Sequence, residues 1–397
     1  MKNVCVVTST RAEYGLLSRL IHRLGEYDDI KVNLVVTGTH LSEKYGETVR
    51  EIEADGVKIA AAIPILNEVN DGYDMSCVVA EAIKGFGSFL KRTPQDCTVL
   101  LGDRYEIGGF ALASVLSGVP VAHIHGGEVT KGAIDDMIRH SLTKLSYLHF
   151  TSTEEYRRRV IQMGEEPDRV INAGAPGVEN ILMTRLLSRE EVIGEVNRLC
   201  GVEFDTDAPY SMVTFHPVTT MPGQSEQQVR ELLSALDGFG NMNCIITKAN
   251  ADAGGAQINR LLEEYAGSGK NNIALTASLG MQRYLSAMKY SAIVIGNSSS
   301  GIIEAPSFSV PTVNIGDRQE GRIRAGSVID CDTDSDSITK AIDQALSEEF
   351  RRKLAMVVNP YEKKGTSEII ASTIRDYLIH DRFSIRKEFY DADNIVK

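Results

Sequence analysis

Six short polar segments carry the residue types that chemistry needs. They are Ser9-Thr10-Arg11-Ala12-Glu13-Tyr14-Gly15, Gly102-Asp103-Arg104, His123-Ile124-His125-Gly126-Gly127-Glu128, His216-Pro217, Lys248-Ala249-Asn250 and Gly296-Asn297-Ser298-Ser299-Ser300-Gly301. Each follows a short apolar run. A carboxylate such as Asp103 in that position is a common base, and histidine, the residue type at 125, has an unperturbed pKa near neutrality. The small residues around Ser298 and Ser299 offer hydroxyls and backbone N–H groups to a phosphate. Glu304 lies one turn further on, where a carboxylate can accept both hydroxyls of a ribose. Arg318 follows the next apolar run, and Arg11 and Arg104 are further guanidinium groups for a diphosphate. No Lys follows Gly301, so the loop is not a Walker A motif.

Plainer roles compete at several of these positions. Arg11 can pair with Glu13, and Arg104 can neutralise its neighbour Asp103. Glu304 can be a first-turn helix carboxylate. Asp135 and Asp136 open a helical segment with Arg139 and His140 at i+4 from each, which suits dipole complementarity and local ion pairs as well as an acid or base at Asp136. His123 and His125 share one face if their strand continues. With Glu128 they also have the donor types of a metal site, but the spacing supplies no further ligand and no metal is expected.

The elements that position these groups alternate in type. Val4–Thr8, 32–37, 98–101, 119–124 and 148–151 read as strands, and 107–116 and 135–146 as helices between them. After Gly174 and Pro176 the alternation restarts, with strands at 211–215, 244–247, 292–295 and 311–315. Helices are expected at 226–236 and 281–288, with another beginning at Gly301. Strand–helix alternation predicts an α/β fold of right-handed βαβ units with parallel sheets. The expected division is an N-terminal Rossmann-like domain over 1–172, a C-terminal Rossmann-like domain over 173–365, and a helix at 366–379 followed by a polar tail to 397. Two such halves are expected to face each other, with strand C-terminal ends turned towards a cleft.

Composition narrows the function classes. At roughly 150 residues per domain, 397 residues make about two domains. The net charge of −12 argues against a general nucleic-acid or anionic-membrane binder. Six scattered cysteines without a C-x-x-C pair argue against a zinc knuckle or redox dithiol and for buried thiols in a reducing compartment. The N-terminal apolar run is short and reads as a first strand, and no window is apolar for long enough to span a membrane. A cytoplasmic protein is expected.

The ordered motifs TSTRAEYG, GDRYE, HIHGGE, AIDDMIRHSLTKLSYLHF, FHPVTT and GNSSSGIIEAP resemble the hydrolysing UDP-N-acetylglucosamine 2-epimerases of bacterial sialic acid and legionaminic acid synthesis. The resemblance runs from Met1 to about Tyr377. It implies the two-domain fold of B-type glycosyltransferases, with a C-terminal helix crossing back onto the first domain. It implies the reaction of UDP-GlcNAc and water to ManNAc and UDP, by anti-elimination to 2-acetamidoglucal and then hydration, without a cofactor. By motif match, Arg11, Arg104, His216, Asn250, Ser298, Ser299 and Glu304 correspond to nucleotide-binding positions, and Asp103 and Asp136 to catalytic carboxylates. The animal enzyme and the related non-hydrolysing epimerases carry Glu where this chain has His125, whereas bacterial sialic-acid-type sequences often read HIHGGE as here, so either His125 or Glu128 is expected to take that part. His216 is grouped with the catalytic candidates as well. A sister branch acts on UDP-N,N'-diacetylbacillosamine, and a glycosyltransferase of the same fold is the more distant alternative. A homo-oligomer, dimer or tetramer, is expected.

Overall fold

Alternate residues of the first strand face opposite ways and meet different helices. Val4 and Val6 join one apolar cluster with Leu17, Leu20 and Ile374, while Cys5 and Val7 join another with Phe86 and Phe110. A strand buried on both faces reads as a continuous apolar run, which is the pattern of a parallel sheet between helical layers. The computed structural model describes every residue except 44–47, 66–68, 70, 132, 219–222, 250–253, 270–271 and 392–397. Asn250 therefore lies outside the described residues.

The chain divides into two units. The first comprises Met1–Glu128, Asp135–Glu179 and Lys363–Lys397, and the second Val129–Ile134 and Asn180–Glu362. Strands β1 (Lys2–Thr8), β2 (Ile30–Thr37), β3 (Ile59–Ile63), β4 (Cys97–Leu101), β5 (Val121–Ile124), β6 (Leu148–Thr151) and β7 (Val170–Asn172) belong to the first unit. They form a sheet of order β3-β2-β1-β4-β5-β6-β7. Every pairing in it is parallel. The second unit holds β8 (Tyr210–Thr214), β9 (Asn243–Thr247), β10 (Ile273–Thr276), β11 (Ile293–Gly296), β12 (Thr312–Ile315) and β13 (Val328–Cys331). Its order, β10-β9-β8-β11-β12-β13, repeats the first. Both are Rossmann-like windings, and each reverses direction once, at β1/β4 and at β8/β11. In open α/β sheets, ligands bind beyond the strand ends at that reversal.

The first unit runs through Glu179 rather than stopping after residue 172. The Glu179 carboxylate accepts hydrogen bonds from the backbone N–H of Ser367, at 2.9 Å, and from its hydroxyl. This ties the helix Pro176–Met183 to the helix Thr366–Ile379. The latter packs Ile370, Ile374 and Leu378 into the first unit's core. Beyond it the chain is not simply a solvated tail: residues up to Tyr390 lie on the same unit, with the Tyr390 N–H donating to the Gly164 carbonyl at 3.0 Å. Strands β3, β7, β10 and β13 and helices including Gly72–Arg92, Glu154–Gln162, Arg189–Cys200, Gly255–Ala266 and Ser335–Leu346 are additions to the elements expected from sequence. Among the described residues no helix is long and apolar enough to cross a membrane.

Candidate functional site

The two loops at the β1/β4 reversal hold a chain of buried polar groups. Thr10 caps the helix Arg11–Gly25, its side chain accepting from the Glu13 N–H. That turn brings the Glu13 carboxylate back onto Ser9, whose N–H donates to Oε2 at 2.7 Å. Ser9 Oγ lies 3.0 Å from Glu13 Oε2 and 2.8 Å from Glu106 Oε1. Arg104 Nε completes the chain, donating to Glu106 at 2.7 Å. Burial, then the charge of Glu106, pushes the Glu13 carboxyl from 4.5 up to about 7. Ser9 has one hydroxyl hydrogen for two carboxylates. A proton on Glu13, donated to Ser9, which donates to Glu106 Oε1, lets the one hydroxyl serve both carboxylates.

Two of the plainer pairings weighed above meet other partners. Arg11 pairs with Glu51, at 2.9 Å, and not with Glu13. Arg104 pairs with Glu106, and Asp103 has a buried partner of its own. That partner is Arg139, buried to 1 % exposure, whose Nη2 contacts Asp103. Its Nη1 donates to Asp136 at 3.2 Å and to the Glu128 carbonyl at 2.9 Å. Asp136 also lies 3.6 Å from His140. The two sequence-predicted carboxylates, one after β4 and one opening the helix Asp135–Leu145, therefore meet on a single guanidinium.

His123 and His125 do not share a face. Strand β5 ends at Ile124, and His125 turns away with a φ of 72°. This left-handed conformation is uncommon for a residue with a side chain, and such strain is found at functional sites. His123 stays in the core, its Nε2 2.7 Å from the Gly102 carbonyl, and burial lowers its pKa to about 4. His125 keeps 13 % side-chain exposure, and its Nδ1 lies 3.4 Å from Glu128 Oε1. Glu128 is almost wholly enclosed and also accepts from Ser152 Oγ at 2.8 Å. The carboxylate stands behind the imidazole, with the imidazole as the outer member of the pair. Gly126 and Gly127 make this corner possible. A Cβ on Gly127, at φ 78°, would lie 2.5 Å from the Tyr156 carbonyl oxygen.

In the second unit, the β8/β11 reversal holds His216 and the serine loop. Asn297, fully buried, accepts from the His216 N–H at 2.7 Å and donates to its carbonyl at 2.9 Å. Arg318 donates to the Pro217 and Asn297 carbonyls, at 3.3 and 3.1 Å. The loops after β8, β11 and β12 are thereby tied together. Both outer glycines of GNSSSG are sterically required. A Cβ on Gly296 would lie 1.9 Å from the Thr214 carbonyl oxygen, and one on Gly301 2.7 Å from Thr312 Cγ2. The helix that the loop opens is a single turn, Ser300–Ile303, followed by Glu304. Its dipole is accordingly small, and the hydroxyls and backbone groups of Ser298 and Ser299 carry the case for an anion. Tyr284 donates to or accepts from Ser300 Oγ at 2.8 Å, and burial holds its hydroxyl up at about 12.

The family profile described as UDP-N-acetylglucosamine 2-epimerase matches residues 22–375. The chain belongs to this family. Among relatives of the epimerase, the polysialic acid biosynthesis protein P7 of Escherichia coli is 38% identical over 392 residues, covering 98% of both chains. A hydrolysing GDP/UDP-N,N'-diacetylbacillosamine 2-epimerase of Campylobacter jejuni is 38% identical over 351 residues, covering 88% of this chain and 89% of its own. The crystal structure of the Neisseria meningitidis UDP-GlcNAc 2-epimerase bound to UDP-GlcNAc has the same fold. Its TM-score is 0.79 at 18% identity, over 95% of this chain and 100% of that one. Among the residues of this candidate site, Glu13, Glu106, Arg139, Ser152 and Asn297 were not singled out by sequence as functional. Glu13 and Glu106 stand inside the quoted motifs, and Arg139 lies three residues after Asp136, so position was a usable signal for all three.

Proposed function

We propose that this epimerase hydrolyses UDP-GlcNAc to ManNAc and UDP. The observation that carries the proposal is the meeting of Asp103 and Asp136 on Arg139, beside the His125–Glu128 pair. The reaction needs groups that move protons at sugar C2 and C1, and it needs UDP held as a leaving group.

A base takes the C2 proton, the electrons form the C1–C2 double bond, and the C1–O bond breaks to release UDP. Water then adds at C1, and a proton returns to C2 on the opposite face, giving the manno configuration. His125 is the proton carrier, in the position where the animal and non-hydrolysing epimerases have Glu, and Glu128 fixes its ring from behind. Asp103 and Asp136, positioned by Arg139, are the other carboxylates. In the second unit Ser298, Ser299 and Arg318 serve the diphosphate, Glu304 the ribose, and His216 and Asn250 the nucleotide sugar. Arg11 and Arg104 supply further positive charge. The six cysteines are unpaired thiols, which fits a reducing cytoplasm. Leu112, Val115 and Leu116, exposed on the helix Tyr105–Leu116, support a homo-oligomer.

A second reading, UDP-N,N'-diacetylbacillosamine as substrate, is favoured by the equal 38% identity of the Campylobacter jejuni relative. The test is kcat/KM for both nucleotide sugars with products identified. A preference for UDP-GlcNAc with ManNAc as product supports the first reading, and the reverse preference selects the second. Turnover of neither overturns both.

A further inference from the structure

The strap that follows the last helix reaches the site helix from its far end. The helix Asp135–Leu145 carries Asp136 and Arg139 in its first two turns. Its last carbonyls have no partner within the helix, as at any helix end. Here the Ser146 hydroxyl takes the Leu142 carbonyl at 2.7 Å. Lys387 Nζ donates to the carbonyls of Thr143, Lys144 and Ser146, at 3.2, 3.0 and 2.7 Å. A cation at this end also complements the helix dipole.

Lys387 is held there by a buried charge cluster. Glu165, with a side chain of 0 % exposure, lies 2.6 Å from Lys387 and 2.6 Å from Lys144. Its Oε2 is 3.1 Å from His149 Nε2. Beyond Lys387, Phe389 lies against Gly164, where any Cβ would strike the ring, and Lys144 sits 4.9 Å over that ring. On the near side Phe383 packs with Tyr147 and Tyr377. The strap is thus anchored on both sides of Lys387. The family match ends at residue 375, before the strap begins.

We infer that Lys387 is a positioning residue for the reaction: by capping the helix Asp135–Leu145 it fixes Asp136 and Arg139 at the other end. The inference rests on the reading of those two residues as parts of the reacting site. Small displacements of positioned groups cost rate steeply, about 10²-fold for 1 Å, so a loosened helix should lower kcat by about ten-fold or more.

The experiment compares full-length wild type, Lys387→Ala and Lys387→Arg. It measures kcat, KM, UDP affinity, Tm and amide hydrogen exchange across residues 135–145. The expected result for Lys387→Ala is faster exchange in that helix and a kcat lower by about ten-fold or more. KM and UDP affinity should stay near wild type while Tm falls, because buried Glu165 loses one of its lysine partners, and Lys387→Arg should restore most of these losses. Unchanged exchange and kcat would overturn the inference. So would faster exchange with kcat intact, or a parallel fall of kcat, affinity and Tm. A wild type that turns over no UDP-sugar would instead refute the reaction, leaving the exchange measurement to decide the capping alone.

Discussion

Asp103 and Asp136 are held on one buried guanidinium, that of Arg139. Neither carboxylate neighbours the other in the sequence, and the arginine gives both a fixed place and a counter-charge. Asp103→Asn keeps the shape and removes the basicity. Turnover should fall at least about 10²-fold if Asp103 carries or stabilises a proton transfer. UDP affinity should hardly change, because UDP lacks the N-acetylhexosamine ring on which the proton moves. Steady-state kinetics with UDP titration checks this, and near-normal turnover in the folded variant removes Asp103 from the chemistry.

The His125–Glu128 pair predicts an order of damage. His125 is the outer group and Glu128 is enclosed behind it, so His125→Gln should be impaired about as strongly as Asp103→Asn, by about 10²-fold or more. Glu128→Gln should be milder, because the imidazole remains. Comparison of kcat in the two variants decides it. A worse Glu128→Gln would transfer the proton to the carboxylate and leave His125 as a packed polar residue.

Glu13 predicts a pH-dependent stability. Its carboxyl titrates near 7 in the fold and near 4.5 when unfolded. The stability tied to its bound proton is fully present below pH 4.5. Between 4.5 and 7 the folded state binds more protons than the unfolded one, so stability falls with rising pH, and above 7 the loss is constant. The full shift amounts to about 3 kcal/mol at roughly 1.4 kcal/mol per pH unit. Glu13→Gln should abolish this contribution. Urea unfolding of both proteins at pH 5 and pH 8 measures it, and parallel pH profiles would show that Glu13 titrates normally.

The serine loop predicts a binding defect separate from chemistry. Replacing Ser298 and Ser299 together by Ala should raise the UDP dissociation constant about ten-fold or more, since hydrogen bonds to a charged group contribute roughly 1.5–3 kcal/mol each. Calorimetric titration with UDP tests it. Unchanged affinity in a folded double variant would place the diphosphate elsewhere.

The sequence showed where the polar loops lie because buried parallel strands announce themselves as unbroken apolar runs. Strands β1, β4, β5, β8 and β11 are of that kind, and four of them flank the two sheet reversals. The strands it did not show, β3, β7, β10 and β13, are edge strands with partly exposed patterns, so their apolar signal is diluted. The helix Gly72–Arg92 was obscured by Gly85 and Gly87. Gly85 is there because a Cβ would lie 2.6 Å from Ile63 Cγ2. Within the site, positions were legible and partners were not. Arg139 reaches Asp103, and Glu106 meets Ser9, through tertiary placement that no sequence spacing encodes. The break at His125 was hidden too, since a strand ending one residue earlier reverses the facing of a histidine.

Incubation of the full-length protein with UDP-GlcNAc in deuterated water, followed by NMR, tests the proposed reaction most directly. Elimination and rehydration require the C2 proton to be lost and replaced from solvent. The predicted products are UDP and ManNAc carrying deuterium at C2. Release of GlcNAc that keeps its C2 hydrogen would show simple hydrolysis of the glycosyl bond, and would contradict the assignment of Asp103, Asp136 and His125 to chemistry at C2.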